Sequence, residues 1–467
     1  MKRKRRSSFV VLLPLLGLAG CSMFDTSATR PGIALPATWN GVVEASAPAA
    51  AISREWWQSF GSAELTALIA RAHQSNPDLA ASLHRIARAT AQARAAGAGL
   101  YPTVDSAGGG SRSWRGEGSP GNGFQGNFDA SYELDLWGGN RARLNAADAL
   151  QLATTYDRDT AALSLSAEVA TAYFQYLNLN DRLDNARRIL DIAERVLELV
   201  VRQQELGAAS GLEIAQQRGT VASLRANIPT LEQRRDETLN ALAQLLGTTP
   251  GDVAIRTASL DAVELPAVTP GLPSDLLRRR PDLRSAEAEL LAAAADVEAA
   301  RAAMMPSIRL TGGAGFSSTE LSSLFSPAGF LSNLASGIAA PILDGGRLRA
   351  QRDQANAGEA ESFEVYRSAI IAAFRDVEDA LAAVEHLAEI EAAQQEAFAE
   401  AERAYNLAEI RYRAGATDFL TLLDAQRNLF QQEDSLEQTR LARLTAVVAL
   451  YKALGGGWCA EDCDIET

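Results

Sequence analysis

Apolar residues recur every three or four positions over two very long stretches of the chain. The first, from Arg141 to Leu206, contains neither glycine nor proline. The second, from Arg347 to Leu454, has no proline and only two glycines, Gly358 and Gly415. A mean spacing near 3.5 residues is that of a coiled-coil seam. The seam positions are Leu183, Ala186, Leu190, Ala193, Leu197 and Val200 in the first stretch and Ala401, Tyr405, Ala408 and Tyr412 in the second.

The second stretch predicts a helical hairpin folded near Gly415. Its first arm, from Arg347 to Ala414, has 68 residues, and a helix of that length extends for about 100 Å. No ordinary globular core is so long. The pattern therefore predicts long coiled-coil arms, and stalk helices of a fibrous protein are the alternative.

Between the helical stretches the hydrophobic period changes to two, which is typical of β-strands. The pattern predicts one β-hairpin at about 102–137 and another at about 306–343, with strands of about ten residues, enough to cross a membrane when tilted. The alternating apolar positions are Phe128, Ala130, Tyr132, Leu134 and Leu136 in the first hairpin and Ile308, Leu310, Gly312, Ala314 and Phe316 in the second.

Four strands cannot close a barrel, and an open sheet in lipid would leave backbone groups without partners. Two chains would supply eight strands around a filled interior, whereas three would supply twelve with room for an aqueous lumen. The alternative is a pair of soluble hairpins beneath a loop domain.

An internal repeat connects these patterns. The motif at 76–79, Asn-Pro-Asp-Leu, recurs as Arg-Pro-Asp-Leu at 280–283, an offset of 204, and Gly207-Ala208 recurs as Gly415-Ala416, an offset of 208. We therefore predict a duplicated unit. Its two copies lie at 61–257 and 276–457, with a linker at 258–275 and a C-terminal tail at 458–467.

The N-terminus has the features of a bacterial lipoprotein signal. Residues 1–20 combine a basic head with a short apolar run and end in Leu-Ala-Gly before Cys21, a pattern that predicts cleavage and acylation of Cys21. Residues 21–60 would then be an acylated tether, and Ser22 favours the outer membrane. A plain secretory signal that happens to contain Cys21 is the alternative.

Charge and reactive residues exclude several classes of function. The formal net charge of −14 argues against nucleic acid as a partner. Cys459 and Cys463 could form a disulfide in an oxidising compartment, while a metal would need further ligands. Three histidines and no phosphate-binding loop predict no enzyme, no catalytic residue, no metal and no cofactor other than the lipid on Cys21.

Several motifs spread over both repeats resemble the TolC-like outer membrane factor family, and the lipoprotein signal places the chain nearest the OprM/NodT-type lipoproteins. These motifs are Trp56-Trp57 with Phe60, the 76–79 motif, 277–283 with Glu287, Pro306, 344–346, 412–415 and 420–427. The resemblance implies a mixed α/β membrane channel that is mostly α. Its long helices would form a periplasmic α-barrel below a transmembrane β-barrel of twelve strands, four from each chain of a homotrimer.

The resemblance also implies a function and a location. The chain would be the outer membrane exit duct of a tripartite efflux pump for small molecules, joined through a periplasmic membrane-fusion adaptor to an inner-membrane transporter, usually of the RND type. Two alternatives remain at this point. One is the exit channel of a protein-export (type I secretion) system, and the other is a lipid-anchored coiled-coil tether without a pore.

The same resemblance implies a gate at the periplasmic tips. Gly207, Ala208, Gly415 and Ala416 would form the helix-tip turns that meet the adaptor. Leu420 and Asp424 would form an apolar and an acidic ring on the axis, while Arg411 and Tyr412 would hold the helix pair closed. From the residues alone, the pattern favours Asp424 as a solvated helix-face residue and Leu420 as part of the seam. The first repeat has Glu213 and Gln216 where Thr421 and Asp424 stand in the second.

Overall fold

The computed structural model describes residue 39 and residues 52–114, 116, 120–269 and 271–458. Within these ranges the chain forms eight α-helices and a single four-stranded sheet. The helices are α1 Ala63–Ser75, α2 Pro77–Gly97, α3 Gly139–Glu205, α4 Gly211–Leu245, α5 Leu276–Arg279, α6 Pro281–Ala302, α7 Arg347–Arg413 and α8 Phe419–Ala453. The strands are β1 Thr103–Ser113, β2 Gly121–Leu134, β3 Ser307–Ser318 and β4 Phe330–Ala339.

The predicted long arms are present in both repeats. Helices α3 and α7 each have 67 residues, and α4 and α8 each have 35. Such helices are about 100 Å and about 50 Å long. The predicted signal at 1–20, Cys21, Cys459 and Cys463 lie outside the described residues. Among the helices that are described, none combines the length and the apolar character needed to cross a membrane.

The structure confirms the duplication and shows where the offset between corresponding residues of the two copies changes. Helix α6 begins at Pro281 and its twin α2 at Pro77, which is the smaller offset found in the sequence. Helix α7 begins at Arg347 and its twin α3 at Gly139, which corresponds to the larger offset. Helices α8 and α4 are related by the same larger offset. The extra four residues lie in the second hairpin, because the β3–β4 loop is longer than the β1–β2 loop by that number. An insertion at a hairpin loop leaves the packed elements in register.

The four strands form an antiparallel sheet in the order β1-β2-β3-β4. Strands β2 and β3 pair with each other and thereby join the two repeats, with Phe128 opposite Ala314 and Tyr132 opposite Leu310. Residues directly opposite in an antiparallel pair lie on the same face. The two apolar alternations predicted from the sequence therefore share one face of one sheet.

The faces of the sheet differ in chemistry. The first face holds the apolar alternation, and its only charged side chain among the described strand residues, Arg112, lies beside the β1–β2 loop. Several of its large apolar side chains are solvent-exposed in the single chain, including Leu334 at 87% and Ile338 at 74%. The second face is largely polar. Its polar members include Asp105, Gln125, Asn127, Asp129, Ser131, Glu133, Arg309, Thr311, Ser317 and Asn333.

The largest hydrophobic core lies midway along the long helices. The Trp56–Phe60 segment forms a 3-10 turn whose aromatic side chains are buried with Tyr173 and Phe174 of α3. Trp56 also stacks on Tyr451 of α8, with ring centroids 5.1 Å apart. The aromatic motif that supported the resemblance is therefore a packing motif.

Trp39 shows that part of the segment predicted as a tether is packed against the second repeat. Its side chain is 4% exposed and lies in a cluster with Leu276 and Leu450. Its indole Nε1 donates a hydrogen bond to the Gly271 carbonyl, at 2.9 Å. Nothing in the local sequence pattern predicts this contact, because all of these partners lie in the other half of the chain.

The predicted seams are largely confirmed, with one correction. The four predicted seam residues of α7 are buried. In α3, however, Leu190 and Leu197 are only half-buried, while Ile189 and Val196 are 7% and 1% exposed. Helix α3 packs against α4, α6 and α8, so its apolar stripe is wider than the seam of a two-helix coiled coil.

Candidate gate at the helix tips

Each long helical hairpin reverses through the same glycine turn. Gly207 and Gly415 have φ values of 76° and 70°, in the left-handed region where glycine carries no Cβ penalty. At the second tip the Gly415 N–H donates to the Tyr412 carbonyl and the Ala416 N–H to the Arg411 carbonyl, at 3.0 and 2.8 Å. Gly207 and Ala208 make the equivalent bonds at the first tip. Both turns are therefore Schellman motifs.

The returning helices are capped by different residues. Ser210 accepts from the Glu213 N–H, and Glu213 Oε2 accepts from the Ser210 N–H at 2.7 Å, which is a capping box. At the second tip Asp418 accepts from the Thr421 N–H at 2.8 Å and from the Thr421 hydroxyl at 2.7 Å. These bonds lower the pKa of the Asp418 carboxyl. The difference between Glu213 and Thr421 noted in the sequence thus serves two kinds of helix cap.

Leu420 and Asp424 lie one helical turn apart on the exposed face of α8. Leu420 is 56% exposed, while its neighbours Phe419 and Leu422 are 2% and 0% exposed. Asp424 is also exposed. Leu420 therefore lies outside the buried seam of its own chain, and both side chains remain accessible to other copies or to a lumen.

Arg411 and Tyr412 occupy different environments. Arg411 is exposed, whereas Tyr412 is buried among α3, α4 and α8 in the apolar cluster at the tip, with its ring 5.9 Å from that of Phe419. Burial raises the pKa of Tyr412 to about 12, and the Glu213 charge acts in the same direction. The phenol is thus neutral at physiological pH. In this chain Tyr412 joins the second hairpin to the first.

The sequence analysis missed the polar contacts between the two hairpins. Arg182 Nε donates to Asp434 Oδ1 at 2.8 Å, and Arg188 forms an ion pair with the buried Glu433. Nearer the tip, buried Gln426 of α8 meets Gln217 of α4. The signal available in the sequence was the presence of Gln426 and Glu433 on the same stripe of α8 as the buried leucines Leu422, Leu429 and Leu436.

Aromatic residues flank both ends of the sheet. At the end of the sheet next to the helices lie Tyr101, which precedes β1, and Trp137, which follows β2. At the opposite end lie Trp114 in the β1–β2 loop and Phe325 in the β3–β4 loop. All four are exposed in the single chain, by 44% to 74%. Tyrosine and tryptophan favour the two interfaces of a membrane. The sheet thus has an apolar face between two aromatic borders.

Comparison with known proteins agrees with this geometry. Residues 68–248 and 272–456 match the model of a family described as outer membrane efflux protein. The chain is 41% identical over 463 residues to the pyoverdine export outer membrane protein OpmQ of Pseudomonas putida, covering 96% of this chain and 97% of that protein. It is 39% identical over 458 residues to OpmQ of Pseudomonas aeruginosa, covering 94% and 96%.

The fold is also shared with a solved channel. The crystal structure of the open state of the Neisseria gonorrhoeae MtrE outer membrane channel has a TM-score of 0.83 and 31% sequence identity to this chain, covering 92% of it and 97% of MtrE. The predicted family, outer membrane location and efflux function are thereby confirmed. The chain belongs to the outer membrane efflux protein family, and it is an outer membrane efflux channel, the exit duct of a tripartite pump.

Proposed function

We propose that three copies of this chain close one twelve-stranded barrel. The observation that supports this most directly is the sheet itself, which has an apolar face with aromatic borders and two open edges, β1 and β4. In lipid the backbone groups of these edges need partners. Pairing β1 of one copy with β4 of the next would supply them and turn the polar face towards the lumen.

The long helices would assemble around the same axis. Helix α7 has several apolar side chains that its own chain leaves exposed, including Ile390 at 44%, Leu407 at 55% and Ile410 at 64%. Neighbouring copies would cover them, since a coiled-coil helix with such residues on its surface gains stability from a further partner.

At the tips the trimer would carry the gate. Three Leu420 side chains at a constriction would hinder wetting, and three Asp424 carboxylates close to the axis would favour cations and repel one another. Arg411 and Tyr412 would hold the second hairpin in the closed position. The turns at Gly207-Ala208 and Gly415-Ala416 would contact the adaptor.

The remaining parts of the proposal concern attachment and partners. Acylated Cys21 would anchor the chain to outer membrane lipid, and Cys459 and Cys463 would form a disulfide. A periplasmic adaptor would connect the tips to an inner-membrane transporter of the RND type, which would supply the energy. The duct itself would catalyse no reaction, bind no cofactor and pass small molecules.

Conductance of the purified protein in planar bilayers tests the gate. Native mass spectrometry of the sample, expected to show three chains, first checks assembly. The double variant Leu420→Ser with Asp424→Ala should conduct several-fold more than the natural protein, because both rings are removed. The matched control Leu265→Ser with Asp184→Ala changes an exposed leucine and an exposed aspartate far from the tip and should leave the conductance unchanged. Equal conductance of the gate variant and the natural protein would refute the gate.

A further inference from the structure

One buried polar layer interrupts the apolar packing between the two hairpins near the tip. Gln217 of α4 and Gln426 of α8 are both 0% exposed. Gln217 Nε2 donates to the Ala193 carbonyl of α3 at 2.9 Å and lies 3.5 Å from Gln426 Oε1. Gln217 is fewer than two helical turns from the first residue of α4, so the layer is roughly 10 Å from the tip turn.

The layers on both sides of this pair are apolar. On α4 the neighbouring buried residues are Ile214 and Val221. On α8 they are Leu422, Leu423 and Leu429, all at most 6% exposed. The two glutamines therefore form a single polar layer within a hydrophobic stack.

The hydrogen bonds of this layer are incomplete. Gln217 Oε1 and Gln426 Nε2 are buried and have no hydrogen-bond partner among the described residues. Rotating the Gln217 amide by a half turn would not help, because its oxygen would then face the Ala193 carbonyl oxygen. Burial of a polar group without a partner is unfavourable relative to its hydrated state.

Farther from the tip, the contacts between the same hairpins are complete. Arg182 binds Asp434 and Arg188 binds Glu433. Asn178 Nδ2 donates to the Glu437 carbonyl at 2.7 Å. The interface between the two hairpins is thus held by satisfied α3–α8 contacts towards the middle of the molecule and weakened by the incomplete α4–α8 pair towards the tip.

We propose that the Gln217–Gln426 layer sets the balance between the closed and open tip. When the end of the α7/α8 hairpin separates from α3 and α4, water reaches both amides and completes their hydrogen bonds, so separation recovers the cost of burial. The contacts of Arg182 and Arg188 form the fixed end of this movement. Gln217 and Gln426 are positioning residues for the gate, and this inference rests on the gate proposed above.

The proposal predicts effects that follow the number of buried polar atoms left without a partner. The natural pair leaves two, Gln217 Oε1 and Gln426 Nε2. Gln217→Leu again leaves two, both on the Gln426 amide, and should change the open probability little. Gln426→Leu leaves one, because Gln217 Nε2 keeps its bond to Ala193, and should lower the open probability. The double variant Gln217→Leu with Gln426→Leu leaves none, makes the stack continuously apolar and should lower it most.

Single-channel recording in planar bilayers measures these effects. The double variant is best recorded with Asp424→Ala also present, so that a decrease is visible against a raised baseline. For the double variant we expect at least a tenfold increase in the closed-to-open ratio, which corresponds to about 1.4 kcal/mol. A thermal unfolding midpoint no lower than that of the natural protein would show that the double variant is folded.

A matched control places the same substitutions outside the buried layer. Gln233 and Gln431 lie on the same two helices but are exposed, and Gln233→Leu with Gln431→Leu should leave the open probability unchanged. The inference is overturned if Gln426→Leu or the double variant raises the open probability, or if neither shifts it. The conductance of the Leu420→Ser, Asp424→Ala variant distinguishes this outcome from failure of the gate proposal. If that variant conducts more than the natural protein, the gate proposal holds and only the role of the glutamine layer is refuted. If it does not, the gate proposal is refuted first.

Discussion

The two helical hairpins have the same backbone but different burial. Helices α3 and α7 are equal in length, as are α4 and α8, and both turns use the same glycine motif. Yet α3 buries nearly twice as many side chains as α7, while α8 buries more than twice as many as α4. The helix that dominates the core is therefore the first in one hairpin and the second in the other.

This difference follows from how the hairpins pack on each other. Helices α3 and α8 contact each other directly, so they share the interface between the repeats, and α4 and α7 lie on either side. Duplication has thus preserved the features that specify backbone geometry, namely the lengths of the helices and the glycine turns between them. The side chains have diverged according to whether a helix faces its own chain or, in the proposed trimer, a neighbouring one.

The largest expected effect concerns a second pair of twin glycines, at the opposite ends of α4 and α8. A Cβ on Gly247 would lie 2.1 Å from the Ser75 carbonyl oxygen, and one on Gly455 would lie 2.1 Å from that of Arg279. Both glycines have positive φ. Gly247→Ala and Gly455→Ala should each reduce the free energy of unfolding by about 2–5 kcal/mol, from backbone strain and overpacking together.

The tip glycines provide the matched control, because a Cβ on Gly207 or Gly415 would meet nothing within 4 Å. Alanine there should cost only the left-handed strain of about 1–2 kcal/mol. Thermal unfolding of the four variants compares the two ends of each hairpin. Equal losses at the tips and at Gly247 and Gly455 would mean that close packing is not what distinguishes them.

A smaller effect concerns a charge present in only one repeat. Glu437 of α8 is 8% exposed, and its twin in α4 is Pro229. Burial raises the pKa of Glu437, and the nearby charges of Asp181 and Asp261 raise it further. Arg440, whose Nη1 lies 3.1 Å from Glu437 Oε1, acts in the opposite direction and lowers it. Burial also raises the pKa of Asp181.

The sign of the pH dependence follows from these directions. The folded chain holds the Glu437 proton more tightly than the unfolded chain does, so this contribution to stability is present at low pH. It is lost as the pH rises from the unfolded pKa of about 4.3 through the folded pKa. Glu437→Gln should therefore flatten the decline of the unfolding midpoint over this range. The control Glu402→Gln, on an exposed part of α7, should not change this pH dependence. Identical slopes of unfolding midpoint against pH for the natural protein and both variants would contradict the prediction.

The smallest effect concerns the two tip caps. Ser210→Ala removes the oxygen that accepts from the Glu213 N–H and should cost about 1 kcal/mol. Asp418→Asn keeps an oxygen that can accept from the Thr421 N–H and should change the unfolding midpoint less. If Asp418→Asn were the more harmful of the two, charge rather than hydrogen bonding would hold the second tip.

The candidate site was partly readable from the sequence. Glycine turns and motif positions located the tips, and the resemblance supplied the roles proposed for Leu420 and Asp424. The pattern could not show that Tyr412 is buried within its own chain or that Gln217 meets Gln426. These two facts depend on which helices of different repeats lie side by side, and periodicity within one helix does not contain that information.

By itself the sequence determined the features with a local physical cause. The lengths of α3 and α7 follow from long runs with at most one glycine and no proline. The strands follow from a period of two, and the repeat follows from motifs at fixed offsets. Only the tertiary structure decided which helices share the core, why Ile189 and Val196 are buried more deeply than Leu190 and Leu197, and that Trp39 packs on residues of the second repeat. Burial of this kind is set by partners far away in the chain, so it becomes visible only when the elements have been brought together.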